Sequence, residues 1–586
     1  MKASLPLVTT ALLMTLIGAT PSASALPASA DQDQRTSADL SDTADRPVRA
    51  TRSPGSSGPV TTHPPAAFIA VHDDPRTAEP PVPTPETKRC SVQLVSHQFR
   101  DWDVHRADYS PPSDCGTGWH KVVLRLDGRV AGRQYDRLGW IDVNGVRVMT
   151  LSTPEPSPSG IGWHVEKDVT SLMPALRQRG QSAMYLGNTV NDTYTGVFDI
   201  TVTLDFYQAD QSHPAASTAS MVTPLSQIRR DGADLVGKAG LPRNLERVEA
   251  EVYATGSGGG CEEFWDLSAP ASTGYSCADG SPWREVDILI DGRLAGVAAP
   301  YPYIYTGGWS NPFLWYAIPA PRAFSIASLR YDLTPFVGLL NDGVAHEVRI
   351  RVAGIPHDGE GWTLAPALHL WTSASQAPTR AGLASTRDGT ATVDTSATGT
   401  KDQPGSVTVQ GKNHFEATGW VDTAAGRVTT TVRRDLSHRS THTWTAKETR
   451  DDLDATWSDT HSVQVRVGEA APTTRQVEAT WSKKGSTLAE PWGSAPQAQR
   501  LTTDLDITDG STSYVLIPTG AKQHQVTVTN GFAGAATWVT GVPREQRMAS
   551  GWSRQRFVTD GDPTLRHYDH ELATINGFFT VDQVRR

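Results

Sequence analysis

Past its first two dozen residues, the 586-residue sequence has no apolar run approaching the roughly 18 residues that a membrane helix needs. No membrane partner is therefore predicted. Runs of Lys and Arg are also missing, and the net charge of −10 is spread along the chain, which argues against nucleic acid as a partner. No G-x-S-x-G, H-E-x-x-H or P-loop pattern occurs, so the common serine-hydrolase, zincin and nucleotide-binding signatures do not apply. There are only four cysteines, Cys90, Cys115, Cys261 and Cys277, with no C-x-x-C or H-x-x-x-H beside them. A zinc site therefore lacks its usual spacing, and no metal or cofactor is expected. Three disulfide pairings are open, with proximity alone favouring Cys90/Cys115 and Cys261/Cys277. Bridging all four leaves no thiol nucleophile.

What is present begins with an export signal over residues 1–25. Lys2 precedes the apolar stretch Ala11–Ile17, and Ala23-Ser24-Ala25 supplies small residues for cleavage. The expectation is a secreted monomer. Residues 26–87 are rich in Pro, Ser, Thr and Ala, and read as a disordered spacer unable to bury enough apolar surface to fold.

From Cys90 onward, short alternating runs such as Trp140-Ile141-Asp142-Val143 are punctuated by Asn144-Gly145 and Asp291-Gly292, which are hairpin signals. A helical pattern is expected only near Val169–Arg179. The period-two alternation predicts an all-β protein. Its first β unit spans 88–210, a polar linker 211–240 and a second β unit 241–373. A Thr- and Val-rich C-terminal β domain then covers 374–586. No short-period repeat is found.

With the usual nucleophiles and metals set aside, carboxylate chemistry remains. Asp136-Arg137 precedes an apolar strand, and its bland reading is a surface ion pair. Glu262-Glu263-Phe264-Trp265 sets two carboxyl groups beside aromatic rings, where a dry site would raise one of them into general-acid range. On an extended strand only one of the two would face a site; the bland reading is a solvated acidic turn with Trp265 in the core. Glu285 and Asp287 share a strand face that could simply be a polar outer face. Tyr301, Tyr303, Tyr305, Trp309, Phe313, Trp315 and Tyr316 crowd one stretch, as for stacking on sugar rings or for filling a core.

An ordered series of motifs from about 88 to 372 resembles the peptide N-glycosidase A family. It includes Gly132–Gly139, Gly160-Ile161-Gly162-Trp163, Leu186-Gly187-Asn188, Glu262–Trp265, Trp283–Val286, Thr306–Pro312 and Asp332-Leu333-Thr334-Pro335-Phe336. A fainter likeness is to the PNGase F group, through Tyr135-Asp136-Arg137. The resemblance implies two tandem antiparallel jelly-roll sandwiches with the active site at their junction, followed by the C-terminal β-rich domain. It also implies hydrolysis of the amide between N-acetylglucosamine and asparagine in glycopeptides or glycoproteins, leaving aspartate.

By that resemblance Asp136 is the base or substrate anchor, with Arg137 the neighbouring cation; Glu263, which abuts Phe264-Trp265, is the expected partner acid with Glu262 as second choice. Substrate-binding residues are expected at Trp265, Trp309, Asn311, Trp315, Glu285 and Asn188. Two departures stand out. Gly258-Gly259-Gly260 replaces the family's histidine-containing stretch, and Asn188 stands where PNGase F has a glutamate. A catalytically inactive glycan-binding β-sandwich protein is therefore the alternative, and a structural cell-surface protein a third reading.

Overall fold

The computed structural model describes residues 74–155, 160–256, 261–277, 280–305, 311–355, 362–375, 377–387, 389–542 and 548–586. The expected signal (1–25) and most of the expected spacer lie outside them. Where the chain is described, alternation of apolar and polar residues dictates the fold. Strands β1 (Arg89–Phe99), β2 (His105–Tyr109), β3 (Trp119–Val130) and β4 (Leu138–Val143) are followed by β5 (Val146–Ser152), β6 (Ile161–Asp168), β7 (Gly180–Leu186) and β8 (Phe198–Gln208). They form two facing antiparallel sheets, β1-β8-β3-β6 and β2-β7-β4-β5, which is the strand order of an eight-stranded jelly roll.

The second unit repeats that order. Its strands are β9 (Met221–Pro224), β10 (Ser226–Asp231), β11 (Asp234–Gly240), β12 (Leu245–Gly256), β13 (Glu285–Ile290), β14 (Arg293–Ala298), β15 (Leu329–Asp332), β16 (Ala345–Ala353) and β17 (Trp362–Thr372). They assemble as β10-β11-β16-β13-β14 and β15-β12-β17-β9. Residues 211–240, expected as a linker, thus supply three strands of this unit. The exposure of β10 along its whole length explains why no alternation marked it.

The two jelly rolls share local devices. Asn144-Gly145 and Asp291-Gly292 turn equivalent hairpins, all four with positive φ (53°, 76°, 47° and 79°), as a primed turn requires. After β6, the Asp168 carboxylate accepts the Thr170 N–H (2.9 Å); after β15, Asp332 does the same for Thr334 (3.0 Å). Each Asp-x-Thr opens a short helical turn, here Thr170–Leu172 running into Met173–Leu176, within the expected helical stretch.

The units join edge to edge. Thr150 bridges Ile326, the Ser152 N–H and hydroxyl both donate to the Ala323 carbonyl (3.1 and 2.8 Å), and Phe324 is buried in the first unit's core. Lys167 donates to the Tyr253 hydroxyl across the same seam, and burial pulls its amine down to about 8.

Residues 381–585 form one eleven-stranded antiparallel sheet. From Thr430 to Trp444 every second residue is buried, because one face lies on the second jelly roll. Trp265 meets Trp457 (ring centroids 5.9 Å), Tyr301 meets Trp481 (5.9 Å) and Trp315 meets Phe532 (4.7 Å). One hydrophobic core therefore runs through both.

Residues 74–87, expected within the disordered spacer, are ordered and form a strap. The Arg76 guanidinium pairs with Asp582 (2.9 Å) and the Arg76 N–H donates to the Ala317 carbonyl (3.1 Å). Ala78 is fully buried between Gln555 and His570. The Val82 N–H reaches Glu166 of the first unit (2.9 Å). Backbone partners, the Arg76–Asp582 ion pair and the small buried side chains of Pro75 and Ala78 order this segment, features its Pro-rich composition does not advertise.

Candidate active site

Asp136 lies on the segment between β3 and β4, and its neighbours fix it from both sides. Gln134 is fully buried. Its amide donates to the carbonyls of Thr189 (2.9 Å) and Gly196 (3.2 Å), and its oxygen accepts the Tyr135 N–H (3.1 Å) and Arg137 Nη2. On the far side, Arg137 N–H donates to Thr153 Oγ1 and Thr153 N–H to the Arg137 carbonyl, both at 2.9 Å. Asp136 is thus held on a braced segment with Tyr135, half-buried like itself, beside it.

Around it, Tyr135 and Tyr194 pair through their hydroxyls (3.2 Å), and the Arg133 guanidinium lies 5.4 Å over the Tyr194 ring. Burial lowers the Arg137 pKa, against the pull of Asp136 first and then of Tyr135, Tyr194 and Tyr185. Arg137 Nε is buried with no acceptor among the described residues.

The second carboxylate comes from the other jelly roll. Cys261–Leu267 is a 3-10 turn rather than the expected strand. It still sends Glu262 inward and leaves Glu263 half-buried, since successive residues of such a helix point about 120° apart. Glu262 is saturated. Arg284 Nε donates to one oxygen (2.9 Å), Arg284 Nη2 to the other, and the Trp362 indole adds a third bond at 2.6 Å. The turn is further held by the Cys261–Cys277 disulfide and by a buried Lys483–Asp266 ion pair (2.6 Å). Cys90 and Cys115 form the other disulfide.

Tyr305 lies on the segment between β14 and β15. Its hydroxyl donates to the Gly256 carbonyl (3.4 Å), and its ring lies parallel to Tyr303 at 6.5 Å. Burial raises the phenol far above its ordinary pKa, and the Glu263 and Asp136 carboxylates raise it further.

Most residues expected to bind substrate are placed elsewhere. Trp265 and Trp315 are each 2% exposed and belong to the core shared with the C-terminal sheet. Asn311 is fully buried and donates to the Ala536 carbonyl (3.1 Å). Asn188 is fully buried too, and braces the carbonyls of Phe99 (3.0 Å) and Gly196 (3.1 Å). Glu285 faces Asn413 of the C-terminal sheet, which donates to both its oxygens (2.8 and 2.9 Å). None of these five can meet a sugar, because each is enclosed by protein on every side. Glu262, offered as a second acid, has both oxygens occupied and instead anchors the turn. Trp309 lies outside the described residues, as do Gly258-Gly259-Gly260.

The sequence marks Tyr305 only within its aromatic stretch, and gives no site role to Gln134, Arg284, Trp140 or Tyr185. For Trp140 a signal was available: it shares its strand face with Asp142, while Ile141 and Val143 face the core.

The family model for peptide N-acetyl-beta-D-glucosaminyl asparaginase amidase A matches residues 80–389, a little over half of the chain. A peptide-N4-(N-acetyl-beta-glucosaminyl)asparagine amidase A from Prunus dulcis is 29% identical over 402 residues, covering 62% of this chain and 69% of the relative. Among solved structures, PNGF-II overlaps 49% of this chain and 66% of its own, just under two thirds, at 12% identity and a TM-score of 0.33. The matched span holds both jelly rolls, Asp136 and the Glu262–Glu263 turn, and the chain belongs to the peptide N-acetyl-beta-D-glucosaminyl asparaginase amidase A family.

Proposed function

We propose that this protein hydrolyses the amide between N-acetylglucosamine and asparagine in N-glycopeptides, with Asp136 and Glu263 as its working carboxyl groups. One observation carries the assignment: Asp136 and Glu263 each stand half-buried on a segment braced by its neighbours, one in each jelly roll, with Gln134 and Thr153 fixing the first and the saturated Glu262 fixing the second. Family membership supports the reaction class.

A water attacks the asparagine side-chain carbonyl, oriented and deprotonated by Asp136. Glu263 protonates the departing glycosylamine nitrogen, as general acid–base catalysis requires. Arg137, whose Nε has no acceptor among the described residues, faces the oxygen on which negative charge develops. The peptide leaves with aspartate in place of asparagine, and the glycosylamine then loses ammonia to water.

Two bridged cysteine pairs fit an oxidising compartment, and we read the protein as secreted and active as a monomer. Incubating the whole protein with a defined glycopeptide and weighing the peptide tests the reading. Release leaves a peptide about one dalton heavier than its asparagine form. Tight binding with no mass change would identify a glycan-binding protein instead.

A further inference from the structure

Burial of Trp265 and Trp315 removes two of the expected sugar platforms and raises the question of what takes their place. A different set of rings answers it. Trp102 is 60% exposed, yet it is fixed in place. Its indole N–H donates to Thr189 Oγ1 (3.0 Å), and the Asp101 carboxylate turns its own loop by accepting the Asp103 N–H (2.9 Å). The same loop is tied to the sheet edge, where the Asn188 N–H donates to the Asp101 carbonyl (2.9 Å).

Gly187 makes the seat. A Cβ there would stand 2.5 Å from the Tyr185 hydroxyl and 2.7 Å from the Trp102 ring, so both side chains rest directly on bare backbone. Tyr185 pairs across strands with Trp140, the rings near-parallel with centroids 5.9 Å apart. Arg147 covers the other side of Trp140 at 4.7 Å. Tyr185 also lies in the field of the Arg137 guanidinium. A line of partly open rings thus runs Trp102–Tyr185–Trp140 along one jelly-roll face, with its middle ring in the field of Arg137.

We infer that the Trp102–Tyr185–Trp140 track is a subsite for the oligosaccharide beyond the first N-acetylglucosamine, an inference that rests on the amidase reading of Asp136. Sugar rings present flat C–H faces to which an immobilised indole is complementary, and a ring held before the ligand arrives loses little freedom on binding. An indole fixed by a hydrogen bond and a glycine seat, yet left in solvent, gains nothing for the fold. The occupant is a glycan because the rings alternate with polar groups suited to sugar hydroxyls: the Thr189 and Tyr185 hydroxyls near Trp102 and the Arg147 guanidinium over Trp140.

The test compares two glycopeptides of one peptide sequence, carrying either a single N-acetylglucosamine or the full core oligosaccharide. Trp102→Ala is expected to lower kcat/KM for the longer substrate about tenfold more than for the shorter, through KM, with Trp102→Phe recovering most of the loss. An unchanged ratio between the two substrates would overturn the inference. Independently, the Asp136→Asn variant is titrated with free core oligosaccharide while tryptophan fluorescence is followed. The quench should disappear when Trp102→Ala is added. Persistence of the full quench, or an equal response to the unglycosylated peptide, would also overturn it. If the wild-type protein cleaves neither substrate, the amidase reading fails on that ground, while the titration still judges the track.

Discussion

The Arg284 guanidinium grips both oxygens of Glu262 in a pair that is shut away from solvent, with side-chain exposures of 0% and 3%. This ion pair stands one residue from Glu263, so it sets where the proposed acid points. Breaking one side of such a pair strands the other charge in a dry interior.

Arg284→Met and Glu262→Gln should therefore each destabilise the protein by roughly 3–5 kcal/mol: the first strands a buried carboxylate, and the second leaves the guanidinium beside an uncharged amide with a single acceptor oxygen. Chemical denaturation of both variants reads the two losses. A loss below about 1 kcal/mol in either, the size of an exposed pair, would show that the pair is not an anchor.

Asp136→Asn and Glu263→Gln should each reduce glycan release by on the order of 10²-fold or more without a comparable fall in melting temperature, since both side chains are half-buried. Mass analysis of the peptide product reads the first quantity and calorimetry the second. Either variant keeping a tenth of the wild-type rate would remove that residue from the chemistry.

A third expectation concerns pH. Burial, and then the Asp287 carboxylate, push Glu285 up to about 9, and burial raises Asp287 as well. Arg351 donates to Asp287 Oδ2 (2.9 and 2.6 Å), and Asp287 Oδ1 has no other donor, so Glu285 keeps its proton and shares it there. In the unfolded chain Glu285 titrates near the usual glutamate value. The folded state thus holds the extra proton between about pH 4.5 and 9. Its stabilising effect is complete below that window and is lost as pH rises through it. The melting temperature should accordingly fall from pH 5 towards pH 9, and Glu285→Gln should flatten that slope. An identical slope in the variant would place the titration elsewhere.

The C-terminal sheet is the fourth case. In the fold, Trp265, Trp315 and Tyr301 bury themselves against Trp457, Phe532 and Trp481. Truncation after residue 375 would bare that face, and an apolar patch of this kind aggregates. The fragment 74–375 should be insoluble or oligomeric by size-exclusion chromatography. A soluble, active fragment would contradict the shared core.

The two β units were legible because alternation and the Asn-Gly and Asp-Gly turns are local signals, and their jelly-roll topology was legible through the family resemblance. Asp136 is proposed from motif resemblance and Glu263 from its place beside Phe264-Trp265. Trp265, Trp315 and Asn188 were misread because an aromatic ring or an amide looks the same in sequence whether it faces sugar or core. Only the partner surface decides, and here that surface lies some 200 residues downstream for Trp265 and Trp315. β10 and the strap escaped notice for the opposite reason: backbone hydrogen bonds order them, and those leave no side-chain period.

The strap also sets a timetable. A ribosome delivers residues 74–82 well before Gln555, His570 and Asp582, the groups that hold them. Arg76 and Asp582 are 506 positions apart. The first jelly roll can therefore complete its own sheets during synthesis, while the leading segment waits unmoored. Its seating between the second jelly roll and the final strands has to be among the last events of folding. Any emerging chain passes through a stage in which the catalytic halves exist and their fastening does not.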